Sequence, residues 1–150
     1  MTVSHAPCRD VLSCAALGIL TRFKTLDKLR SAFVAMPILQ ITTNVPDDVV
    51  TNSDTLKLLS KAVTDGVGKP EQYVFVTLNA GKSVMFGGTE APAAYGELLS
   101  IGSIGGDKNK SISKLVADIL ETKLNIPSDR FYLTFHDMAR SDVGWKKSTF

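Results

Sequence analysis

Histidine and cysteine, the side chains most typical of zinc sites and thiol chemistry, are few in this 150-residue sequence. Its two histidines, His5 and His136, lie far apart, and both cysteines, Cys8 and Cys14, are near the start of the chain. Structural zinc sites take closely spaced cysteines and histidines, and a disulfide framework needs several cysteines. We therefore expect no structural zinc site and no disulfide framework in residues 37–150, and no metal ion in a functional site there.

Two short segments hold residue types that could bind or react. Gly102–Gly106 precedes an apolar helical pattern, but it lacks the lysine and hydroxyl of a P-loop and the full dinucleotide-binding pattern. We interpret it as a turn. Met36 and Pro37 come directly before a strand-like run, so a start-like methionine stands well inside the chain. Taken alone, Pro37 would begin an edge strand, where a missing N–H is tolerated.

The charges divide the chain into a basic beginning and a nearly neutral remainder. Of 17 basic and 15 acidic side chains, 12 and 13 respectively lie in residues 36–150. A nucleic-acid-binding protein needs a clustered basic face, which this remainder lacks, so no nucleic-acid partner is expected. We divide the chain into an N-terminal extension, residues 1–36, and one domain, residues 37–150.

The extension leaves its own role open. Its longest apolar run, Val11–Leu20, is shorter than the roughly 20 residues that span a bilayer, so no membrane partner is expected. Phe33–Ala35 would suit signal-peptide cleavage, but the charged segment Thr21–Arg30 intervenes. Three alternatives stay open. Residues 1–36 could be a basic transit peptide, an extension without a targeting function, or the result of a start codon assigned too early. We expect the domain to be cytoplasmic or secreted without a classical signal, with organelle targeting by residues 1–36 as the alternative.

Hydrophobic periodicity predicts a strand–helix–strand unit that occurs twice. The first comprises Pro37–Asn44, Ser53–Val67 and Tyr73–Asn79, and the second comprises Ala94–Ile101, Lys110–Leu124 and Phe131–Asp137. Pro70 and Pro127 precede the two closing strands, and a shift of 57 residues aligns one unit with the other. Such an internal repeat predicts an α+β domain with a four-stranded sheet and two helices on one face.

The helices and strands supply apolar residues for packing. The helical stripes are Leu56, Leu59, Val63 and Val67, and then Ile112, Leu115, Val116, Ile119 and Leu120. We expect Phe75, Leu78, Phe131, Leu133 and Phe135 to serve both faces of the sheet. An exposed apolar face needs a cover, and further copies of the chain would supply one, so the pattern predicts a closed homo-oligomer.

The chain resembles the macrophage migration inhibitory factor family of the tautomerase superfamily, closest to its plant- and protist-type members. The match is carried, in the family's order and spacing, by Met36-Pro37, Thr43–Pro46, Gly68–Pro70, Phe86–Gly88, Ser100–Gly106 and Val143–Phe150. It extends from Pro37 to Phe150. The resemblance implies a doubled β-α-β fold, a homotrimer, and active sites at subunit boundaries.

The resemblance also implies that Pro37 is the catalytic residue of a cofactor-free keto–enol tautomerase. In the family the initiator methionine is removed, so the proline nitrogen becomes a free secondary amine. An ordinary α-amino group titrates near pH 7.7–8.0, and burial or a nearby cation lowers that pKa. A base poised near neutral pH transfers protons efficiently. The mechanism requires a free Pro37, which residues 1–36 would prevent.

The expected substrate is a small aromatic keto acid, such as phenylpyruvate, or a dopachrome-like compound. The resemblance implies that Lys69 pairs with its carboxylate and lowers the pKa of Pro37, and that Ile101 contacts it through the backbone N–H. The remaining implied contacts are Tyr132 from a neighbouring subunit and the wall residues Trp145 and Phe150, with Tyr73, Val143 and Ile38 as weaker wall candidates.

Two positions depart from the animal members of the family. Thr134 replaces an asparagine, and we expect this change to weaken a hydrogen bond to the substrate. Ala93–Gly96 replaces a Cys-x-x-Cys pair, so no thiol–disulfide chemistry is expected. The alternative to catalysis is a cytokine-like protein that binds a receptor or another protein partner.

Overall fold

A computed structural model of the chain describes residues 36–51 and 54–150. The N-terminal extension before Met36 and residues 52–53 lie outside these residues. The helices and strands of the described part are β1 (Ile38–Thr43), α1 (Asp47–Thr51), α2 (Thr55–Val67), β2 (Phe75–Asn79), β3 (Ala94–Ser100), α3 (Gly106–Leu124), β4 (Phe131–Asp137), β5 (Gly144–Trp145) and β6 (Ser148–Thr149).

The main sheet has the strand order β2-β1-β3-β4. β1 is parallel to β2, β3 is parallel to β4, and the central pair β1–β3 is antiparallel. Ile38 pairs with Phe75, and the residues 57 positions later, Tyr95 and Tyr132, pair with each other in the same way. The predicted doubling of a β-α-β unit is therefore confirmed down to the register of the strands.

The ends of the two long helices repeat as well. Gly68 (φ 70°) caps the C-terminal end of α2, and Asn125 (φ 52°) caps that of α3, both in the left-handed conformation. Glycine adopts this conformation without a steric penalty, and asparagine is the side chain that most often replaces it at a helix end. Each cap leads through one residue to a proline, Pro70 or Pro127, and then to a short 3₁₀ turn before the closing strand.

α2 and α3 pack on one face of the sheet. The sheet contributes Leu39, Ile41 and Leu98 to the core, and the helices contribute Leu59, Val63, Val67, Ile112, Val116, Leu120 and Leu124, all essentially inaccessible to water. Two residues of the predicted stripes are instead exposed. Leu56 lies in an open groove with Val74 and Val76 beside the edge strand β2, and Leu115 falls outside the arc of α3 that packs at four-residue spacing.

The expectation that these apolar side chains serve both faces of the sheet is met by Phe75 alone. Leu78, Leu133 and Phe135 pack, with Phe131, against the core on the helix side. Side chains alternate between faces along a strand, so of that group only Phe75 faces away from the helices. The open face is mixed. Its polar residues and tyrosines are Gln40, Thr42, Thr77, Tyr95, Glu97, Tyr132, Thr134 and His136, and its apolar residues are Ile38, Phe75 and Leu99.

Two features at the ends of these elements differ from the prediction. α3 begins at Gly106, four residues before the predicted start, so the last glycine of the expected turn is helical. Gly102, Ser103 and Gly105 do form a turn with positive φ angles. The short α1 and the β5–β6 hairpin were not predicted. Within residues 36–51 and 54–150, no helix is both long and apolar enough to cross a membrane.

Candidate active site

An apolar cavity of about 290 Å³ lies beside the start of β1. Its walls include Met36, Ile38, Tyr73, Phe75, Trp145 and Phe150. Ligand pockets usually measure roughly 300–1,000 Å³ and are mostly apolar with a few polar groups. This cavity therefore has the size and character for a small ligand with one aromatic ring.

The C-terminal hairpin builds the aromatic side of the cavity. The Trp145 ring lies 5.7 Å from that of Phe150 in a stacked arrangement and 6.4 Å from that of Tyr73, edge to face. Lys146 and Lys147 form the tight turn between β5 and β6, both with positive φ. That turn geometry matches the twist of the paired strands and returns the chain so that Phe150 reaches Trp145.

Pro37 lies between two residues of the cavity wall, and its side chain is fully buried. Its carbonyl oxygen accepts a hydrogen bond from the Phe75 N–H at 2.9 Å, which continues the pairing of β1 with β2. In the 150-residue chain its nitrogen is joined to Met36 as an amide. An amide nitrogen does not titrate near neutral pH, so Pro37 is not a base in this form.

Lys69 follows the left-handed cap of α2 and is only 5% exposed. Its Nζ donates a hydrogen bond of 2.6 Å to the Ile101 carbonyl oxygen. Burial lowers the pKa of Lys69, as do the nearby cations Lys108 and Arg140, whereas the Asp137 carboxylate raises it. A buried ammonium with further N–H donors is suited to bind an anionic group.

The predicted residues Pro37, Lys69, Ile101, Trp145 and Phe150 lie at the same end of the sheet. The buried side chains of Ile101 and Val143 form a small apolar cluster with Met36, Met138 and Phe150. The weaker candidates Tyr73 and Ile38 line the cavity itself. The Ile101 carbonyl oxygen accepts the hydrogen bond from Lys69, and the Ile101 side chain packs in the small apolar cluster.

Tyr132 is not near this cavity. It pairs with Tyr95, which pairs with Thr42 near the far end of β1, about 16 Å along the strand from Pro37. Its side chain is 66% exposed, and its ring lies 4.9 Å from that of Phe86. The Tyr132 of one protomer therefore cannot line the cavity of the same protomer.

Sequence reasoning missed Met36 and Phe75 as wall residues. Phe75 could have been found, because it pairs with Ile38 and shares its face of the sheet. Met36 was regarded as a removable initiator, yet in the full chain it lines the cavity and packs against the Ile101 cluster. In the full chain the methionine thus occupies space beside the position of the proposed base.

The two positions that depart from the animal pattern lie in different surroundings, one on the open face of the sheet and one largely buried. The Thr134 hydroxyl lies 3.2 Å from the Tyr95 hydroxyl and 3.2 Å from the His136 ring, on the open face of the sheet. Ala93 and Ala94 are buried. In the part of the chain that the structure describes, histidine, cysteine and carboxylate side chains form no group that could hold a metal ion.

The doubled β-α-β sheet, with an apolar pocket and a buried lysine at the same end, defines a member of the tautomerase superfamily. The sequence pattern of the macrophage migration inhibitory factor family matches residues 36–150. The macrophage migration inhibitory factor homolog of Trichuris trichiura is 48% identical over 115 residues, which cover 77% of this chain and 100% of that protein. Macrophage migration inhibitory factor of Xenopus tropicalis is 42% identical over 120 residues, covering 77% and 99%.

The solved structures agree with the sequences. Macrophage migration inhibitory factor from Trichinella spiralis superposes with a TM-score of 0.72 at 40% identity, covering 75% of this chain and 99% of that chain. The chain belongs to the macrophage migration inhibitory factor family. Membership assigns it a function of the tautomerase or cytokine type that defines this family.

Proposed function

We propose that the chain, when it begins at Pro37, is a cofactor-free keto–enol tautomerase for small aromatic keto acids of the phenylpyruvate or dopachrome type. One observation carries the proposal. An apolar, aromatic cavity lies beside the start of β1, at the same end of the sheet as a buried ammonium, that of Lys69. The cavity suits an aromatic ring, and the ammonium suits the carboxylate of such a substrate.

The free amine of Pro37 is the base. It takes a proton from the carbon next to the substrate carbonyl, and the electron pair moves to the carbonyl oxygen. The protonated Pro37 amine then gives its proton to that oxygen, which forms the enol and restores the free amine. The reverse sequence returns the keto form. Burial disfavours the protonated amine, and so does the nearby Lys69 cation, so both lower the pKa of the amine from its ordinary range near 7.7–8.0.

The other residues bind the substrate. Lys69 pairs with the carboxylate, the Ile101 N–H contacts the substrate, and Trp145 and Phe150 pack against its ring. Tyr132 completes the pocket from a neighbouring copy in a homotrimer. Its exposure supports this role, because a largely exposed tyrosine remote from its own cavity is available to another subunit.

The position of the amine provides the test. Phenylpyruvate tautomerisation is measured for the chain starting at Pro37, the chain starting at Met36, and the full 150 residues. General bases contribute roughly 10²–10⁴-fold to the rate, so we expect the two longer forms to lose activity by that factor. The Met36 form, used only where its intact mass shows that the methionine is retained, is a matched control, because it differs by one residue. Equal activity of all three forms would exclude Pro37 as the base.

The alternative function is partner binding with little or no catalysis, as a cytokine-like protein. The observation that favours it is the Met36–Pro37 peptide bond, which removes the base while leaving the fold described above intact. We propose that residues 1–36 are a separate extension whose fate decides between the two functions. The intact mass of the protein from its own cells gives the first residue, and a fluorescent fusion of residues 1–36 reports whether they direct an organelle.

A further inference from the structure

One side chain ties the loop before β3 to the start of β4. The Arg130 guanidinium donates hydrogen bonds to four loop carbonyls. Nε reaches Pro92 at 2.9 Å, Nη1 reaches Phe86 at 3.3 Å, and Nη2 reaches Thr89 at 3.3 Å and Ala91 at 2.9 Å. A planar fork of donors suits this arrangement, whereas the compact ammonium of a lysine does not.

The same arginine holds the ring of Phe86. Its guanidinium carbon lies 5.3 Å from the centre of that ring, within the range of a cation–π contact. Phe86 and Thr89 exchange backbone hydrogen bonds of 3.0 and 3.1 Å across Gly87 and Gly88, which have φ angles of 56° and 75°. Glycine fits two successive positive φ angles without strain, so the backbone turn also holds Phe86 in place.

Phe86 in turn contacts Tyr132. The two ring centres are 4.9 Å apart with an angle of 44° between the planes. Tyr132 lies on the edge strand β4 and is mostly exposed, so packing in a core does not fix its ring. The chain of contacts runs from Arg130 through Phe86 to Tyr132.

We infer that Arg130 and Phe86 are positioning residues that hold the Tyr132 ring in the orientation in which it enters the cavity of a neighbouring copy. This inference rests on the proposed function, because Tyr132 contributes to catalysis only if it reaches that cavity. Neither residue lies at the end of the sheet that holds Pro37 and Lys69. Their loss should therefore weaken substrate binding and leave the proton transfer itself unchanged.

The first experiment measures KM and kcat separately for phenylpyruvate. The chain starting at Pro37 is suitable, because the Trichuris trichiura relative is matched over its whole length by 115 residues of this chain. An aromatic pair is worth a factor of roughly 3 to 10, so Arg130→Lys and Phe86→Leu should raise KM by that factor without changing kcat. Glu90→Gln, in the same loop, is the control and should change neither.

The second experiment asks whether the effect crosses between subunits. Pro37→Gly subunits lack the proline amine but present an intact Tyr132, and Arg130→Lys subunits have the reverse combination. In mixed trimers, cavities of the Arg130→Lys subunits receive an intact Tyr132 from a Pro37→Gly neighbour. We expect their KM to return toward the unmodified value. A purely structural role of Arg130 in its own subunit would leave KM raised in the mixture.

The outcomes separate the two proposals. If the unmodified chain starting at Pro37 has no turnover, the proposed function fails and the inference fails with it. If the unmodified chain is active but Arg130→Lys and Phe86→Leu both leave KM unchanged, only the inference is overturned. Should Arg130→Lys fail to fold, Phe86→Leu decides alone, because it preserves every hydrogen bond to the arginine.

Discussion

Replacing Lys69 with methionine should weaken substrate binding without weakening the fold. The side chain is 5% exposed, and its ammonium donates one hydrogen bond, to the Ile101 carbonyl oxygen at 2.6 Å. A hydrogen bond to a charged group contributes about 1.5–3 kcal/mol, whereas burial of an ammonium costs several kcal/mol. The lowered pKa of Lys69 indicates that burial outweighs the favourable contacts of the charged form.

The pH dependence of stability has a definite sign. Because the folded-state pKa of Lys69 lies below its unfolded value, the unfolded chain binds the proton more tightly. The cost of the buried charge is fully present below the folded pKa and disappears as the pH rises toward the unfolded value of about 10.4. Lys69→Met has no buried ammonium and so does not carry this cost. Its free energy of unfolding, relative to that of the unmodified chain, should be highest near neutral pH and should fall as the pH becomes alkaline.

Two assays test this prediction on the chain starting at Pro37. Urea unfolding from pH 7 to 10.5 should show Lys69→Met at least as stable as the unmodified chain at pH 7. The loss of the charged contact with the substrate carboxylate should raise KM roughly 10- to 150-fold. Loss of the cation should also raise the pKa of Pro37 and move the acid limb of the activity profile to higher pH. Lys61→Met, an exposed lysine on α2, is the control.

A clear loss of stability at pH 7 in Lys69→Met would refute this account of Lys69, and the loss would reach about 3–5 kcal/mol if a needed buried charge pair were broken. An unchanged KM would refute its role with the carboxylate. The two results are independent, so the experiment separates the fold from the site.

Two further predictions concern packing and turn strain. A Cβ added at Gly66 would meet the Cγ1 of the fully buried Ile112, so Gly66→Ala should lower the urea midpoint, as overpacking costs about 1–3 kcal/mol. The loss should disappear in an Ile112→Ala background and persist with Ile112→Val, which keeps a Cγ carbon. Lys146 and Lys147 both have positive φ, which costs about 1–2 kcal/mol per residue, so an Asn-Gly pair there should raise the Tm. A lower Tm of the Asn-Gly variant would contradict the claim that the two lysines are strained.

The fold could be predicted because its signals are local and repeat. The prolines Pro70 and Pro127 and the caps Gly68 and Asn125 recur at the same spacing, and the bounds of β4 agree with the prediction. The faces of the sheet could not be predicted from composition. Apart from Phe75, the apolar residues of the edge strands pack on one face, and only the pairing with β1 and β3 shows which face it is.

The candidate site was less accessible to sequence reasoning. Its cavity is closed by Met36 and Phe150, which no local pattern relates across the length of the domain. The hairpin that carries Trp145 turns on Lys146 and Lys147, whereas the usual signal for such a turn is Asn-Gly or Asp-Gly. The burial of Lys69 was also hidden, because a lysine after a helix end is ordinarily exposed and merely favourable to the helix dipole.

The internal repeat separates the positions that build the fold from those that carry chemistry. The residue 57 positions after Lys69 is Ile126, which is fully buried and likewise stands between a left-handed cap and a proline. One backbone position thus holds an apolar side chain in one half and an ammonium in the other. The fold accepts isoleucine at this position, so under the proposed function Lys69 is explained by the substrate carboxylate that its charge would bind. Lys69→Ile should therefore fold as well as Lys69→Met, whereas Ile126→Lys should lose several kcal/mol of stability, because its buried charge would gain no substrate partner.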